Sequence, residues 1–280
     1  MARSHSPGVW LNLVCLDAPV VAVAWQWLFA TTFHVPMQFG NSAALLLTAW
    51  LIYLADRLAD ASSLNPDGPR SLRQEFCLKH RRVWMGALMA VAAAAASAIW
   101  RNTAPVTFLV GAGVGSLALV YLVLNHPLGR IWRLLPLKEI SIGVLFTAGT
   151  LVALLPAVPP MGPALLSAAI AFACLCALNC ISIAGWEREL DEAQQKISIA
   201  TRYPALGRVL GKISSALALG AFGAALFYRD TAMVFGCIGL SALLLALLDM
   251  LPATIGTDRR TALADLVLLT PLLALLITNA

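Results

Sequence analysis

The chain has 280 residues, 60% of them hydrophobic and 12% charged, with a mean hydropathy of +0.82. That is too apolar for a water-soluble domain and typical of a polytopic membrane protein. The net charge of +5 and pI near 9.1 do not point to nucleic acid, because no basic face of a soluble fold accompanies them.

A hydrocarbon core about 30 Å thick needs roughly 20 apolar residues per helix. Cutting the chain at charge clusters and Pro/Gly breaks predicts nine spans, near 9–33, 39–60, 83–100, 104–124, 138–156, 162–186, 206–228, 231–250 and 261–279. The Ala/Leu runs are too long for strands and lack the period of two that a barrel requires. The expected fold is an all-α membrane bundle of about nine helices, forming a single polytopic domain over residues 1–280.

In the first span, Arg3 precedes an apolar run and Ala22-Val23-Ala24 looks like a signal-peptidase site. Asp17 inside that run and the hydrophobicity beyond Ala24 argue for a retained helix instead. The second span ends in LIYLADRLADASS (51–63), which puts Asp56 and Asp60 at i, i+4. Side chains so spaced are neighbours on one helix face, with Cβ atoms about 5–6 Å apart. Two like charges there cost a few tenths of a kcal/mol in water, rising to about 2.5–3.5 kcal/mol per acid at a bilayer-centred position. A wet helix boundary with Arg57 snorkelling beside the acids is the plain account.

In the fourth span, Gly111-Ala112-Gly113-Val114-Gly115 has no preceding strand, so a phosphate-cradling loop is not expected. Gly111 and Gly115 fit the small-xxx-small spacing of close helix packing. Tyr121, near the end of this span, is a candidate substrate contact. Cys174, Cys176 and Cys180 in the sixth span have no CxxC spacing or His partner. With Cys15, Cys77 and Cys237 they are expected to act as small hydrophobes, without a disulfide framework. His5, His34, His80 and His126 are scattered and form no catalytic constellation.

The sixth span ends in WERELDE (186–192), where Glu187 and Asp191 repeat the i, i+4 spacing with Glu189 between them. With nine spans, every Lys and Arg except Arg101 and Arg229 falls on the side of the N-terminus, a strong positive-inside pattern. Both acidic pairs and the N-terminus are therefore expected to face the cytoplasm, and the C-terminus the other side.

Two acidic pairs meeting at one membrane face suit Mg²⁺, which is held by one or two carboxylates plus substrate phosphates. The candidate metal ligands are Asp56, Asp60, Glu187, Glu189 and Asp191, of which Asp56, Asp60, Glu187 and Asp191 are the candidate catalytic acids. Basic residues nearby, Arg57, Arg70, Arg73, Lys79, Arg81, Arg82, Lys196 and Arg202, are suited to a diphosphate or serve as topology determinants.

These residues carry a resemblance to the UbiA superfamily of intramembrane prenyltransferases, which have nine transmembrane helices and two Asp-rich cytoplasmic motifs. The first family motif, NDxxDxxxD, resembles IYLADRLAD: Asp56 and Asp60 take the last two acid positions, while Ile52 and Tyr53 stand in place of Asn and Asp. The second, D-x-E/D-x-D followed by Gly and Lys-Thr, resembles Glu187-Arg188-Glu189-Leu190-Asp191, with Gln195 for the Gly and Lys196 displaced by one position. Leu16-Asp17-Ala18-Pro19 is similar to the family's D-x-P in the first helix, which makes Asp17 a candidate substrate contact. Lys138-Glu139 with Gly143 and Phe146 resembles the start of the fifth helix.

The resemblance implies Mg-dependent transfer of a prenyl group from an isoprenyl diphosphate to a lipophilic or aromatic acceptor. Two other classes compete. A secondary transporter would place acids such as Asp17 and Asp249 within the membrane, and a non-catalytic relic of the fold is suggested by Ile52 and Tyr53.

Overall fold

The computed structural model describes residues 7–126, 137–156, 162–251 and 255–278. Among these residues every regular element is helical and no strand occurs. In chain order the α-helices are α1 (Pro7–Leu13), α2 (Asp17–Thr32), α3 (Phe39–Ser62), α4 (Leu72–Lys79), α5 (Arg81–Asn102), α6 (Pro105–Asn125) and α7 (Lys138–Leu151). They continue as α8 (Pro163–Trp186), α9 (Arg188–Ala193), α10 (Ile199–Arg202), α11 (Leu210–Phe227), α12 (Ala232–Met250), α13 (Thr257–Leu266) and α14 (Pro271–Thr278). Among the described residues six stretches are long and apolar enough to cross a membrane: α3, α5, α6, α8, α11 and Arg229–Met250, which comprises a 3₁₀ turn and α12. The protein is thus an all-α, multi-pass membrane protein.

The other three predicted spans are not single long helices over the described residues. The first is divided at Cys15, whose φ of 57° is a left-handed conformation, and α2 starts at Asp17 with Pro19 in its first turn. The fifth is described as helix only to Leu151, with turns to Pro156; residues 157–161 lie outside the described part. The last is broken between α13 and α14 by a 3₁₀ turn over Val267–Leu269, followed by Pro271 at the start of α14. Breaking a helix frees backbone groups, which at membrane depth must find partners in the protein. Here Trp25 Nε1 donates to Leu268 O at 2.7 Å and Ser241 Oγ to Val267 O at 2.8 Å, and the Thr270 side chain ties the turn to α12 by donating from Oγ1 to Cys237 O at 3.0 Å.

Proline sets other boundaries. Ala104, extended at ψ 150°, precedes Pro105 and ends the run of α5, so α5 and α6 are separated by a short turn. Gly162 and Pro163 open α8 in the same way. On the polar side, α4 starts with a capping box between Ser71 and Gln74.

The core lies between α2, α8 and α12. Trp25 stacks on Phe172 with ring centroids 4.3 Å apart, and Phe29, Phe235, Leu28 and Ile238 complete a fully buried cluster. In contrast α6 carries Phe108, Leu109, Leu117, Leu119 and Val120 exposed, a surface that only hydrocarbon satisfies. Helices α7 and α8 approach closely at Gly143, where an added Cβ would stand 2.6 Å from Ala173 O and 2.7 Å from Ala177 N.

The expected packing role of Gly111 and Gly115 is not what the fold uses. A Cβ at Gly115 meets nothing within 4 Å, and one at Gly111 meets only a Val152 methyl at 3.3 Å. Both glycines border a cavity instead. The small residues on this face of α6 leave volume open rather than bringing two helices together.

Candidate functional site

A cavity of about 570 Å³ runs between α3, α5, α6, α7 and α8. Its walls over most of their length are apolar, with Leu45, Ile52, Ile99, Phe108, Leu145 and Val152 among them. The C-terminal ends of α3, α6 and α8 and the N-terminal end of α7 converge at one end. There the lining changes to Asp56, Arg57, Asp60, Arg73, Tyr121, Lys138, Glu139, Glu187, Asp191 and Lys196. The space is amphiphilic in the same sense as a lipid phosphate.

Both acidic pairs reach this polar end. Asp56 and Asp60 lie in the last two turns of α3. Glu187 caps the junction of α8 and α9, and the Asp191 N–H donates to Glu187 O at 2.9 Å, so the i, i+4 spacing survives the junction. Gln194 holds the two regions together: its Oε1 accepts the Asn65 N–H at 2.8 Å and its Nε2 donates to Pro69 O at 2.7 Å.

Three of the four acids face a cationic or imidazole side chain, and the fourth, Asp191, is hydrogen-bonded to Ser198. Lys196 Nζ lies 2.6 Å from Asp60 Oδ1. Arg73 pairs with Glu187, which also accepts from Thr261 Oγ1 at 3.3 Å. Asp56 Oδ1 is met by His126 Nε2 at 2.9 Å and Asn125 Nδ2 at 3.2 Å. Asp191 makes no ion pair among the described residues; burial, and next the neighbouring Glu187 carboxylate, push its carboxyl up to about 6.

The remaining expected contacts divide. Arg57, Lys196 and Tyr121 line the cavity, whereas Arg70, Arg202 and Glu189 are exposed and do not. Arg70 donates to Pro66 O, and Glu189 is turned away from the face that carries Glu187 and Asp191. Asp17 is buried elsewhere, bonded to Asn12 at 2.7 Å and to the Ala18 N–H at 2.9 Å. Gln195 has φ 54°, in the left-handed region that glycine favours.

The sequence did not single out His126 or Gln194 as site residues. Their roles come from chain segments 70 and 129 residues away, which no local pattern encodes. Glu139 was noted at the start of its helix; it is buried, accepts the Ile199 N–H at 3.1 Å through Oε1, and leaves Oε2 without a partner among the described residues.

Comparison with protein-family models, with curated proteins and with solved structures gives no match to this chain.

Proposed function

We propose that the protein binds an isoprenyl diphosphate and transfers its prenyl group to a lipophilic or aromatic acceptor within the membrane. The observation that carries this reading is a cavity that is apolar along most of its length and ends in both acidic pairs. A prenyl chain suits the apolar walls, and Arg57, Arg73, Lys138 and Lys196 suit phosphate oxygens.

Charge balance argues for Mg²⁺. The polar end holds five carboxylates, Asp56, Asp60, Glu139, Glu187 and Asp191, against those four cations. A diphosphate entering alone would meet an excess of negative charge. Among the described residues no three His, Cys, Asp or Glu side chains are grouped closely enough to hold a metal unaided. The residues therefore fit ions shared with the ligand's phosphates, with Asp60, Glu187 and Asp191 as the carboxylates best placed and Asp56 drawn toward His126.

When bound, Mg²⁺ supplies neutralisation of the departing diphosphate. The chain supplies the rest. Arg57 and Arg73 face the phosphate end as fixed cations, Tyr121 and Tyr53 border the region where head and tail join, and the apolar walls exclude water from the allylic carbon.

In this reading α1 with α2, α7, and α13 with α14 complete three further crossings, giving nine, and the positive-inside pattern puts the N-terminus and the polar end in the cytoplasm. A second reading, the same fold without turnover, is favoured by Ile52 and Tyr53 and by the acids already paired with side-chain cations. Incubating the purified protein and Mg²⁺ with a panel of prenyl diphosphates, with and without aromatic acceptors, separates the two. Acceptor-dependent diphosphate release supports transfer, and its absence across the panel supports the second reading.

A further inference from the structure

Tyr53, Ile142, Phe146 and Cys180 form a wall of the large cavity, and behind them lies a second space of about 30 Å³. That is room for one water or one dehydrated ion. Asp265 and Asn179 border it, and Tyr53 adds a third oxygen-bearing side chain.

Two acids meet beside this space, Asp17 buried and Asp265 half-buried. Asn12 Nδ2 donates to Asp17 Oδ2 at 2.7 Å and to Asp265 Oδ2 at 3.0 Å, so one amide nitrogen bridges both carboxylates. Asn179 Nδ2 donates to Asp265 Oδ1 at 3.2 Å. Neither acid makes an ion pair among the described residues.

The two carboxylates have different backbone surroundings. Asp17 stands in the first turn of α2 and its Oδ1 accepts the Ala18 N–H at 2.9 Å, so the positive end of a helix meets its charge. Asp265 stands in the last turn of α13, beside carbonyl groups that already carry negative partial charge. Asn12 and Asn179 give it neutral amide donors, and its carboxyl is also in hydrogen-bond contact with that of Asp17, so two negative charges side by side with no cation in contact are costly there.

A second observation points to the same missing charge. Asn179 is 4% exposed, and its Oδ1 has no hydrogen-bond partner among the described residues. An orphaned amide oxygen and a carboxyl that makes no ion pair among the described residues border one small space. A single positive charge there balances Asp265 and satisfies Asn179. Mg²⁺ is ill suited, since it keeps several waters that this volume does not hold.

We propose that this cavity is a monovalent-cation site of sodium type, with Asp265 and Asn179 Oδ1 as its main ligands and Asp17 as the neighbouring charge. The ion ties together α1, α2, α8 and α13, which include the two broken helices at the ends of the chain. This site is independent of prenyl transfer.

The test is the thermal-unfolding midpoint of the full chain in non-ionic detergent as NaCl rises, with choline chloride keeping ionic strength constant. The midpoint should climb saturably with sodium and not with choline. Asp265→Asn should abolish the sodium effect, while Asp249→Asn, a change outside the cluster, should keep it. If Asp265→Asn does not fold, Asn179→Ala takes its place and should raise the half-saturating sodium concentration at least about tenfold. Superimposable sodium and choline curves overturn the proposal and leave a water in the cavity. A sodium effect that persists in Asp265→Asn, or an unchanged half-saturation in Asn179→Ala, overturns it as well.

Discussion

Lys196 Nζ lies 2.6 Å from Asp60 Oδ1, so a residue just after the second acidic stretch neutralises the last acid of the first. The pair is partly buried, with side chains 20% and 25% exposed, which places it between a surface ion pair and a desolvated one. Lys196→Met should destabilise the protein by about 1–3 kcal/mol by leaving Asp60 unpaired. The double change Asp60→Asn, Lys196→Met should recover part of that loss. A double-mutant cycle in detergent unfolding checks it, with a favourable coupling expected.

Asp191 sets a pH dependence. Its carboxyl is pushed up to about 6 by burial and by Glu187, so the folded protein holds this proton more tightly than the unfolded chain does. Its contribution to stability is full below the ordinary carboxylate range and is lost as pH rises to about 6. Without divalent ions, stability should therefore fall between about pH 4 and 6, and Asp191→Asn should flatten that segment. With Mg²⁺ present the trend should weaken, because the metal favours the ionised carboxylate. Unfolding midpoints across this range, with and without Mg²⁺, give the comparison.

Gln195 carries a strained backbone. Its φ of 54° costs a residue with a Cβ roughly 1–2 kcal/mol. Gln195→Gly should be stabilising or neutral, with a gain of up to about 1 kcal/mol after the added freedom of the unfolded chain. Its side chain is exposed, so little packing is lost. Clear destabilisation in thermal unfolding would contradict this account.

Gly143 is the opposite case. An added methyl would stand 2.6 Å from the backbone oxygen of Ala173, and backbone in a packed helix does not yield cheaply. Gly143→Ala should cost about 1–3 kcal/mol by forcing α7 from α8. Gly115→Ala should be nearly neutral for stability and act on ligand binding instead, since its Cβ position is open and borders the cavity.

The contrast between those glycines shows what the sequence could and could not reveal. Long apolar runs bounded by charge or proline define α3, α5, α6, α8 and α12 to within about two residues, because length and hydropathy are local properties. The i, i+4 acids were legible for the same reason. The break at Cys15 was not, since no proline or glycine stands at 14–16 to mark the left-handed turn that this buried residue adopts. The link of His126 to Asp56 was equally hidden, being a meeting of two helix ends. Small-xxx-small spacing marked a face of α6 correctly, but whether such a face meets a helix or a cavity depends on its neighbours.

The central claim is that metal and diphosphate occupy the polar end of the cavity together. With Ile52 and Tyr53 in place of further oxygen-rich ligands, and with Asp60 and Glu187 held by Lys196 and Arg73, Mg²⁺ alone should bind weakly. The direct measurement is calorimetric titration of a prenyl diphosphate at several Mg²⁺ concentrations, on the parent protein and on Asp60→Asn. The account predicts donor affinity that rises with Mg²⁺, an equal and reciprocal rise in Mg²⁺ affinity with donor, and loss of this coupling in Asp60→Asn. Donor affinity in the parent that is independent of divalent metal would contradict it.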